Sequence, residues 1–460
     1  MEDPRWEMFA STKENRGWAA AGLLLILVSS WSAIPVGSDR DENQRDRETP
    51  LLQGFRLYNS ASELLPPFLM RSREDTLGFG NQVVMEFDVG SRLPLDLQVI
   101  FHHCNRDWDV DDNEFLRNEF HNKSGRLDYR SAPIGASRFT YRYVNRFPDR
   151  EGIVQFPYSG NHIYEVIDRD SGMKLASGRV IVIDPVVSVA VAVDEENLVD
   201  AVAPMNQAHR VRVRVDVPPA EYSDSTFVQP LFEGLVTTVD IYQNHNIWQS
   251  HRVSFTDRTL WTRTDWPRAS VRYFEHRKIY PGNYYRRLDI SDERTYPRGH
   301  PVRLISGIDL PRTFWLGHED QRGGSQYVPE SGIESGYLDV ELRLRVVPPP
   351  RREVYVVGSF NQWKPTAPDQ LRYDPEEGIY TLSRWLRRGI YDYQYIFGTW
   401  DKDSMSANAQ DWFGLEGNDW RTVRDYYIIV YYDDPRFGGF DRIVGIGKGT
   451  SPGGLSSSGE

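Results

Sequence analysis

The chain has 460 residues and a formal net charge of -12, and aromatic residues make up 13% of it. The length predicts about two to four domains, and the acidic balance argues against a nucleic-acid partner. Cys104 is the single cysteine, which excludes an intramolecular disulfide and a cysteine-based zinc site. Frequent Tyr, Val, Arg, Pro and Gly favour strands and turns over helices.

The first 33 residues have the pattern of an export signal. Residues 17–28 (GWAAAGLLLILV) carry no charge and are followed by small residues, including Ser32 and Ala33. A membrane-spanning helix needs about 20 apolar residues, so a signal peptide over 1–33 is predicted, with an N-terminal membrane segment as the alternative. Acidic residues near the N-terminus are atypical of such signals, and a start at Met8 would remove most of them. Residues 34–50 are predicted to be a disordered linker.

Residues 51–185 show the alternation of a first β-sandwich. The segments 95–102 (LDLQVIFH) and 161–167 (NHIYEVI) place apolar residues at every second position, which is typical of half-buried strands. The run 179–183 (RVIVI) ends this region before Asp184-Pro185. Short strands separated by turns predict an all-β fold of tandem immunoglobulin-like or E-set β-sandwich domains.

Two further sandwiches are predicted, over 186–335 and over 336–447. Residues 210–217 (RVRVRVDV) alternate arginine with valine, and 337–347 (YLDVELRLRVV) is a long strand candidate. The Gly- and Ser-rich stretch 448–460 is predicted to be a disordered tail.

Catalytic motifs do not stand out, and we predict no enzyme, no cofactor and no metal site. A nucleophile elbow, an HExxH motif and a Walker loop are not predicted. His102 and His103 are adjacent on a strand, so their side chains point to opposite faces. The acidic loop 107–114 lacks the Gly and Glu that an EF-hand needs at its sixth and twelfth positions. We interpret it as a solvated turn.

The C-terminal region resembles carbohydrate-binding modules of the glycogen-binding type. It contains VYVVGSFNQW (354–363) and GIYTLSRWLRRGIYDYQYIFGTWDKD (378–403). Trp363 and Trp400 fall on the two sugar-stacking positions of that family. Planar rings of this kind stack on the apolar faces of sugars, so the resemblance implies possible glycan stacking by Trp363 and Trp400.

A second resemblance runs from His103 to Ile446. HCNRDW (103–108), ASRFTYRYVNRFP (136–148) and SGNHIYEVID (159–168) are similar to ordered strings of the plug protein family of the type IX secretion system. The remaining matches, in order, are QNHNIW (243–248), PGNYYRRLDIS (281–291), EGNDWRTVRDYYIIVYY (416–432) and FDRIVGI (440–446). His162 and Tyr284 depart from the family pattern, which has Tyr and Glu there, and residues 137–140 (SRFT) match the family's string more loosely.

The residues that carry this resemblance, called the motif residues below, are His103, Cys104, Asn105, Asp107, Trp108, Ser159, Gly160, Asn161, Gln243, Asn244, Trp248, Gly282, Asn283, Arg286, Glu416, Gly417 and Asn418.

The plug resemblance implies an exported periplasmic protein at the inner face of the outer membrane. It would bind the type IX translocon barrel and occlude its periplasmic opening, without turnover. The alternative is a periplasmic glycan-binding accessory protein with weak polysaccharide binding through Trp363 and Trp400. No strong sign of a homo-oligomer is found in the sequence.

Several motif residues also have a plain packing interpretation. We expect Trp108, Trp248 and Tyr391 to pack in the core or at an edge. Asp107 is expected to satisfy backbone donors in a turn. Cys104 is expected to be a buried, unreactive thiol.

Overall fold

The computed structural model describes residues 52–71, 77–198, 201, 205–218, 231–304, 307–312, 320–328, 336–402 and 406–453. The predicted signal peptide (1–33) and linker (34–50) lie outside these residues. Within the described ranges the chain forms strands almost throughout, with one short α-helix, α1 (Glu114–Arg117). The all-β prediction is confirmed. No helix in the described part is both long enough and apolar enough to cross a membrane.

The N-terminal sandwich contains two four-stranded sheets. Its strands are β1 (Leu52–Asn59), β2 (Phe68–Met70), β3 (Val83–Val89), β4 (Leu97–Cys104), β5 (Tyr129–Ser131), β6 (Tyr141–Phe147), β7 (Gly160–Asp168) and β8 (Lys174–Ile183). The sheet orders are β1-β3-β6-β5 and β2-β8-β7-β4. Alternation in β4 places Leu97, Val99 and Phe101 in the core between the sheets, because successive side chains of a strand point to opposite faces.

The central sandwich begins with six strands, β9 (Ser188–Asn197), β10 (Gln207–Asp216), β11 (Val236–Gln243), β12 (Asn246–Ser254), β13 (Thr262–Arg268) and β14 (Val271–Ile279). One sheet has the order β13-β14-β10-β9. The alternation in β10 buries Val211, Val213 and Val215 against the second sheet. The hairpin β11-β12 supplies two of the four strands of that second sheet, and the other two come from the end of the chain.

The C-terminal sandwich takes the next nine strands, β15 (Arg286–Asp289), β16 (Val302–Arg303), β17 (Ser325–Tyr327), β18 (Tyr337–Leu344), β19 (Glu353–Gly358), β20 (Arg372–Asp374), β21 (Ile379–Arg387), β22 (Gly389–Asp401) and β23 (Ser406–Asp411). The long strand β22 pairs with β15, β17, β19 and β23, and the facing sheet has the order β16-β18-β21-β20. Described 3₁₀ segments lie at Glu233–Leu235, Ser359–Asn361, Ala367–Asp369 and Arg436–Gly438.

The last two strands return to the central sandwich. They are β24 (Asp425–Asp434) and β25 (Phe440–Thr450), and they complete the sheet β12-β11-β24-β25. In this sheet Val239 of β11 pairs with Val430 of β24.

This topology corrects two predicted boundaries. The division at 335/336 does not separate the sandwiches, because β15 and β17 join the C-terminal sandwich and β24 and β25 join the central one. The predicted disordered tail is also wrong at its start. Lys448 continues β25, and Ser451 is only 3% exposed; residues 454–460 lie outside the described residues.

The strands β9 and β25 approach each other through alternate glycines. A Cβ atom on Gly447 would lie 2.5 Å from Cγ1 of Val189, and one on Gly449 would lie 2.5 Å from Cγ1 of Val191. Such distances are too short for carbon atoms in contact. The valine face of β9 therefore packs directly on the backbone of β25, an approach that any larger residue at these positions would prevent.

Candidate functional site

The first motif string lies where the N-terminal sandwich meets the central one, here called the first joint. Arg106, inside HCNRDW, donates from its backbone nitrogen to Oδ2 of Asp441 at 2.7 Å and from Nε to Oδ1 at 2.8 Å. Its guanidinium also pairs with Asp433 and donates from Nη1 to the Thr238 hydroxyl at 2.8 Å. One side chain therefore connects the loop after β4 with β11, β24 and β25.

Asp107 does not have the role expected from the sequence. Its carboxylate pairs with Arg252 of β12. Instead, Oδ1 of Asn105 accepts hydrogen bonds from the backbone nitrogens of Asp107 and Asp109, both at 2.9 Å. The side chain that accepts from the backbone donors of this turn is therefore Asn105 and not Asp107. The Asp107 carboxylate instead reaches across the first joint to Arg252.

Two tryptophans of the motif hold one cation between them. The Arg179 guanidinium carbon lies 4.2 Å from the ring centre of Trp108 and 4.6 Å from that of Trp248. Arg179 also donates from Nη1 to the carbonyl of Ile247 at 3.1 Å. Both rings are half-buried and pack at the first joint, in agreement with the packing interpretation.

The SGN string supplies the closest approach at this joint. A Cβ atom on Gly160 would collide with the His103 ring and would lie 3.2 Å from the carbonyl oxygen of Asp441. Asn161 donates from Nδ2 to the Asn105 carbonyl at 3.1 Å and accepts from the Tyr431 hydroxyl at 3.1 Å. Gly and Asn are therefore required here by space and by hydrogen bonding.

Both ring nitrogens of His103 face a hydrogen-bonding group. His103 Nδ1 lies 2.5 Å from Oδ2 of Asp111, and Nε2 lies 3.3 Å from the carbonyl oxygen of Ser159. Cys104 is fully buried, and burial raises the pKa of its thiol to about 12. A thiol that stays protonated at neutral pH is a poor nucleophile, as expected from the sequence.

The other motif residues lie where the chain crosses between the central and C-terminal sandwiches, here called the second joint. Gly282 donates from its backbone nitrogen to Oδ1 of Asn418 at 3.0 Å, and Nδ2 of Asn418 donates to the Gln207 carbonyl at 2.9 Å. Gln243 donates from Nε2 to the Pro281 carbonyl at 2.8 Å. Four separate segments, at 207, 243, 281–282 and 418, are thereby joined through side-chain amides.

Arg424 is the centre of the second joint; it lies inside the string 416–432 but is not one of the motif residues. The side chain is almost fully buried and donates to the Pro281 carbonyl from Nε at 2.8 Å and to Asp320 Oδ2 from Nη1 at 2.8 Å. It also donates to the carbonyl of Asn283. Beside it, Asn244 accepts from the Asp425 backbone nitrogen at 3.0 Å.

A buried ion pair completes this joint. Arg286 of β15 donates from Nε to Oε1 of Glu416 at 2.8 Å and lies 3.0 Å through Nη1 from Oδ1 of Asp309. Glu416 Oε1 also accepts from the Tyr395 backbone nitrogen at 2.9 Å. The following Gly417 donates from its nitrogen to the Phe413 carbonyl at 2.7 Å.

The N-terminal and C-terminal sandwiches also meet directly, at a third joint. Glu86 lies between Arg56 and Arg387, whose Nη2 and Nη1 atoms approach its carboxylate oxygens at 2.6 Å and 2.5 Å. Burial opposes the ionised form of Glu86, but these two cations outweigh burial and lower its pKa to about 2. The Tyr337 hydroxyl donates to Oδ2 of Asp88 at 2.9 Å. Each sandwich therefore contacts the other two.

The predicted sugar-stacking pair is not formed. Trp363 is 2% exposed, its Nε1 donates to the Gly323 carbonyl at 2.8 Å, and its ring centre lies 4.3 Å from that of Tyr285. A ring buried in this way cannot stack on a sugar from solvent, so the prediction is wrong for Trp363. Trp400 is half-buried against the same apolar cluster.

One pentapeptide, residues 449–453, has the letters GxSxG but not the geometry of a nucleophile elbow. Ser451 is buried, and its hydroxyl accepts from the Arg424 backbone nitrogen at 2.9 Å and donates to the Thr422 carbonyl at 3.3 Å. An elbow serine must instead be exposed at a strand-to-helix turn. Within the described ranges, no three His, Cys, Asp or Glu side chains are placed to hold a metal ion.

Comparison with solved structures supports the fold. The crystal structure of a hypothetical protein from Parabacteroides merdae ATCC 43184 is similar with a TM-score of 0.67 and 19% identity, covering 87% of this chain and 97% of that one. The three N-terminal domains of the bacteriophage RB49 Highly Immunogenic Outer Capsid protein (Hoc) align at 10% identity with a TM-score of 0.12, too low to indicate a shared fold. No protein-family model matches the chain, and no curated protein matches it.

Proposed function

We propose that this protein is a plug of the type IX secretion system, which binds the periplasmic opening of the outer-membrane translocon and occludes it. The proposal rests on the ordered motif matches from His103 to Ile446. Their key residues, such as Gly160 and Arg286, lie at joints where space or charge permits few alternatives. The motif residues shared with the plug family therefore lie where the three sandwiches are joined. This supports a similar arrangement of the sandwiches in the plug family and in this chain.

The mechanical properties of the molecule suit a steric role. Three sandwiches that contact each other pairwise, through side chains such as Arg106, Arg424 and Glu86, cannot swing independently. A stopper needs this stiffness, because a hinged body would open the channel it fills. The ends of sandwiches also present loops that adapt readily to a partner.

Two of the departures from the family pattern, His162 and Tyr284, are compatible with this role. His162 and Tyr284 are both 5% exposed, so these substitutions alter the interior rather than a contact surface. His162 packs edge-on to His103 with ring centres 5.0 Å apart. Tyr284 accepts through its hydroxyl from the Val423 nitrogen at 3.3 Å.

Affinity purification from envelopes tests the proposal. The protein would be tagged at its C-terminus and recovered from membranes in mild detergent, with an unrelated exported protein carrying the same tag as the control. Recovery of a very large outer-membrane barrel, absent from the control, is the expected result. Recovery of the tagged protein alone, from the soluble fraction, would count against a plug.

A permeability measurement tests occlusion separately from binding. Deleting the gene should raise the entry of vancomycin, which is too large for ordinary porins, and the wild-type gene on a plasmid should restore the barrier. Unchanged entry in the deletion strain would mean that the protein binds the translocon without closing it. The glycan-binding alternative loses its main support, since Trp363 is buried.

A further inference from the structure

A cleft of about 190 Å³ opens beside the second joint, between the central and C-terminal sandwiches. One wall comes from β12 and from the segment after β14, including Tyr280. The opposite wall comes from β22 and from the residues after β23, including Trp412 and Phe413. Ligand sites in proteins favour such concave surfaces between domains.

Gln394 of β22 gives the cleft a side-chain amide that a ligand can reach. Gln394 is 7% exposed and lines the cleft. Its side-chain oxygen and nitrogen are not among the fully buried polar atoms without a partner in the described residues, so the amide is accessible from the cleft. An amide that faces a cleft can donate to and accept from the hydroxyl groups of a ligand.

The walls offer aromatic faces next to further amides. The ring centres of Tyr280 and Phe413 are 5.6 Å apart, and Trp412 is half-buried beside them. The indole nitrogen of Trp412 donates to Oε1 of Gln410 at 3.1 Å, and the same oxygen accepts from Nε2 of Gln249 at 3.1 Å. Gln249 belongs to the central sandwich, so this bridge fixes the Trp412 ring across the mouth of the cleft.

The charge balance of the cleft favours a neutral ligand. Arg424 is its one cationic lining residue, and that guanidinium already donates to Asp320 and to two carbonyls. No carboxylate lines the described walls. Burial, together with the nearby His276, lowers the pKa of the His251 imidazole to about 4, so the ring is neutral at pH 7 and offers one donor and one acceptor.

We propose that this cleft binds a single pyranose unit of a neutral saccharide. The apolar face of the sugar packs on Trp412, and its hydroxyl groups hydrogen-bond to Gln394 and to the neutral His251. Amide and imidazole groups suit hydroxyls, which both donate and accept, and aromatic rings suit the C–H faces of a pyranose. This site shares no residue with Trp363 and Trp400, and it does not depend on the plug function.

Saturation-transfer difference NMR on the purified full-length protein tests the proposal. The probes are methyl α-D-glucopyranoside, methyl α-D-mannopyranoside, methyl β-D-galactopyranoside and N-acetyl-D-glucosamine. We expect saturation transfer to at least one of them, and about tenfold weaker binding to Gln394→Leu. The matched control Gln326→Leu changes an exposed glutamine of the same sheet and should bind as the wild type does.

Two results would overturn the proposal: no transfer to any of the four probes, or full transfer to Gln394→Leu. The thermal midpoint of Gln394→Leu should stay close to that of the wild type, because leucine replaces an amide that faces the cleft with a side chain of similar volume. If this variant fails to unfold cooperatively, Gln249→Ala decides the question. Gln249 is exposed at the mouth, and its loss should weaken transfer without affecting folding; undiminished transfer would reject the site.

Discussion

Arg106 and Asp441 are 335 positions apart in the sequence, yet the backbone nitrogen and Nε of Arg106 both donate to the Asp441 carboxylate, at 2.7 Å and 2.8 Å. The pair holds the loop after β4 of the N-terminal sandwich against β25 of the central one. Arg106 also pairs with Asp433. This arginine is thereby one of several contacts that fix the relative position of the two sandwiches.

Replacing this arginine should loosen the first joint. Arg106→Ala leaves two carboxylates facing each other without their cation, so we expect a loss of about 2–4 kcal/mol in the free energy of unfolding. Urea unfolding followed by fluorescence measures it. The control is Arg212→Ala, which removes an exposed pair with Asp194 and should cost at most about 1 kcal/mol. Equal losses in the two variants would contradict the role assigned to Arg106.

The close packing of Gly447 and Gly449 of β25 on the valines of β9 predicts that side chains larger than glycine at these two positions destabilise the protein. Gly447→Ala places a methyl group against Val189, and the overpacking should destabilise the protein by about 1–3 kcal/mol. Gly234→Ala, where a Cβ atom meets nothing within 4 Å, is the matched control. Adding Val189→Ala to Gly447→Ala should recover part of the loss in thermal melting; a purely additive double variant would show that steric contact is not the cause.

Trp363 should behave as a core residue. Its ring is 2% exposed, so Trp363→Ala should cost about 3–5 kcal/mol through the cavity it leaves. Trp266 is 62% exposed, and Trp266→Ala should cost far less in the same chemical denaturation. If Trp363→Ala lost only a little unfolding free energy, the Trp363 ring would not be a core residue, and it could again be considered for sugar stacking.

Asp392 predicts a pH dependence of stability. Its Oδ2 accepts from the backbone nitrogens of Gln321 and Gly323 at 2.7 Å and 2.8 Å, and burial followed by the charge of Asp320 raises its pKa to about 7. The unfolded chain ionises at its ordinary, lower pKa. The stability that this group contributes is therefore complete at acid pH and is lost as pH rises from about 4 to about 7.

Asp392→Asn isolates this effect, because the amide oxygen still accepts both hydrogen bonds but does not ionise. Buried histidines such as His209, whose pKa burial lowers to about 4, have the opposite pH dependence. The contributions of these histidines to stability are the same in the wild type and in the variant, so they cancel when the two proteins are compared at one pH. The variant should therefore gain stability relative to the wild type between about pH 5 and about pH 8. A constant difference across this range would contradict the raised pKa.

Local patterns in the sequence predicted strands well and strand partners poorly. The alternation in 95–102 and 210–217 correctly predicted β4 and β10 and the face of each that is buried. A strand that is buried on one face only has an apolar residue at every second position. In contrast, β24 is buried on both faces for most of its length. Such a run indicates a central strand but does not identify the sheet it belongs to.

The joints could be predicted only in part. The motif strings pointed to Gly160, Arg286 and Asn418, and the structure places each of them at a joint. Arg106 and Arg424 lie inside two of these strings but were not selected, because the sequence does not show which of its many arginines bridge two sandwiches. Trp363 was misjudged because the segment that covers it, at Gly323, lies 40 positions away in the chain.

The return of β24 and β25 to the central sandwich has a consequence for biosynthesis. The N-terminal sandwich has all of its strands once residue 183 is available, whereas the central one lacks half of a sheet until residue 450. Until then the edge of β11 and the valines of β9 have nothing to cover them. A prematurely terminated chain would thus expose an unpaired strand edge and an apolar face, the features by which chaperones and proteases recognise unfinished proteins.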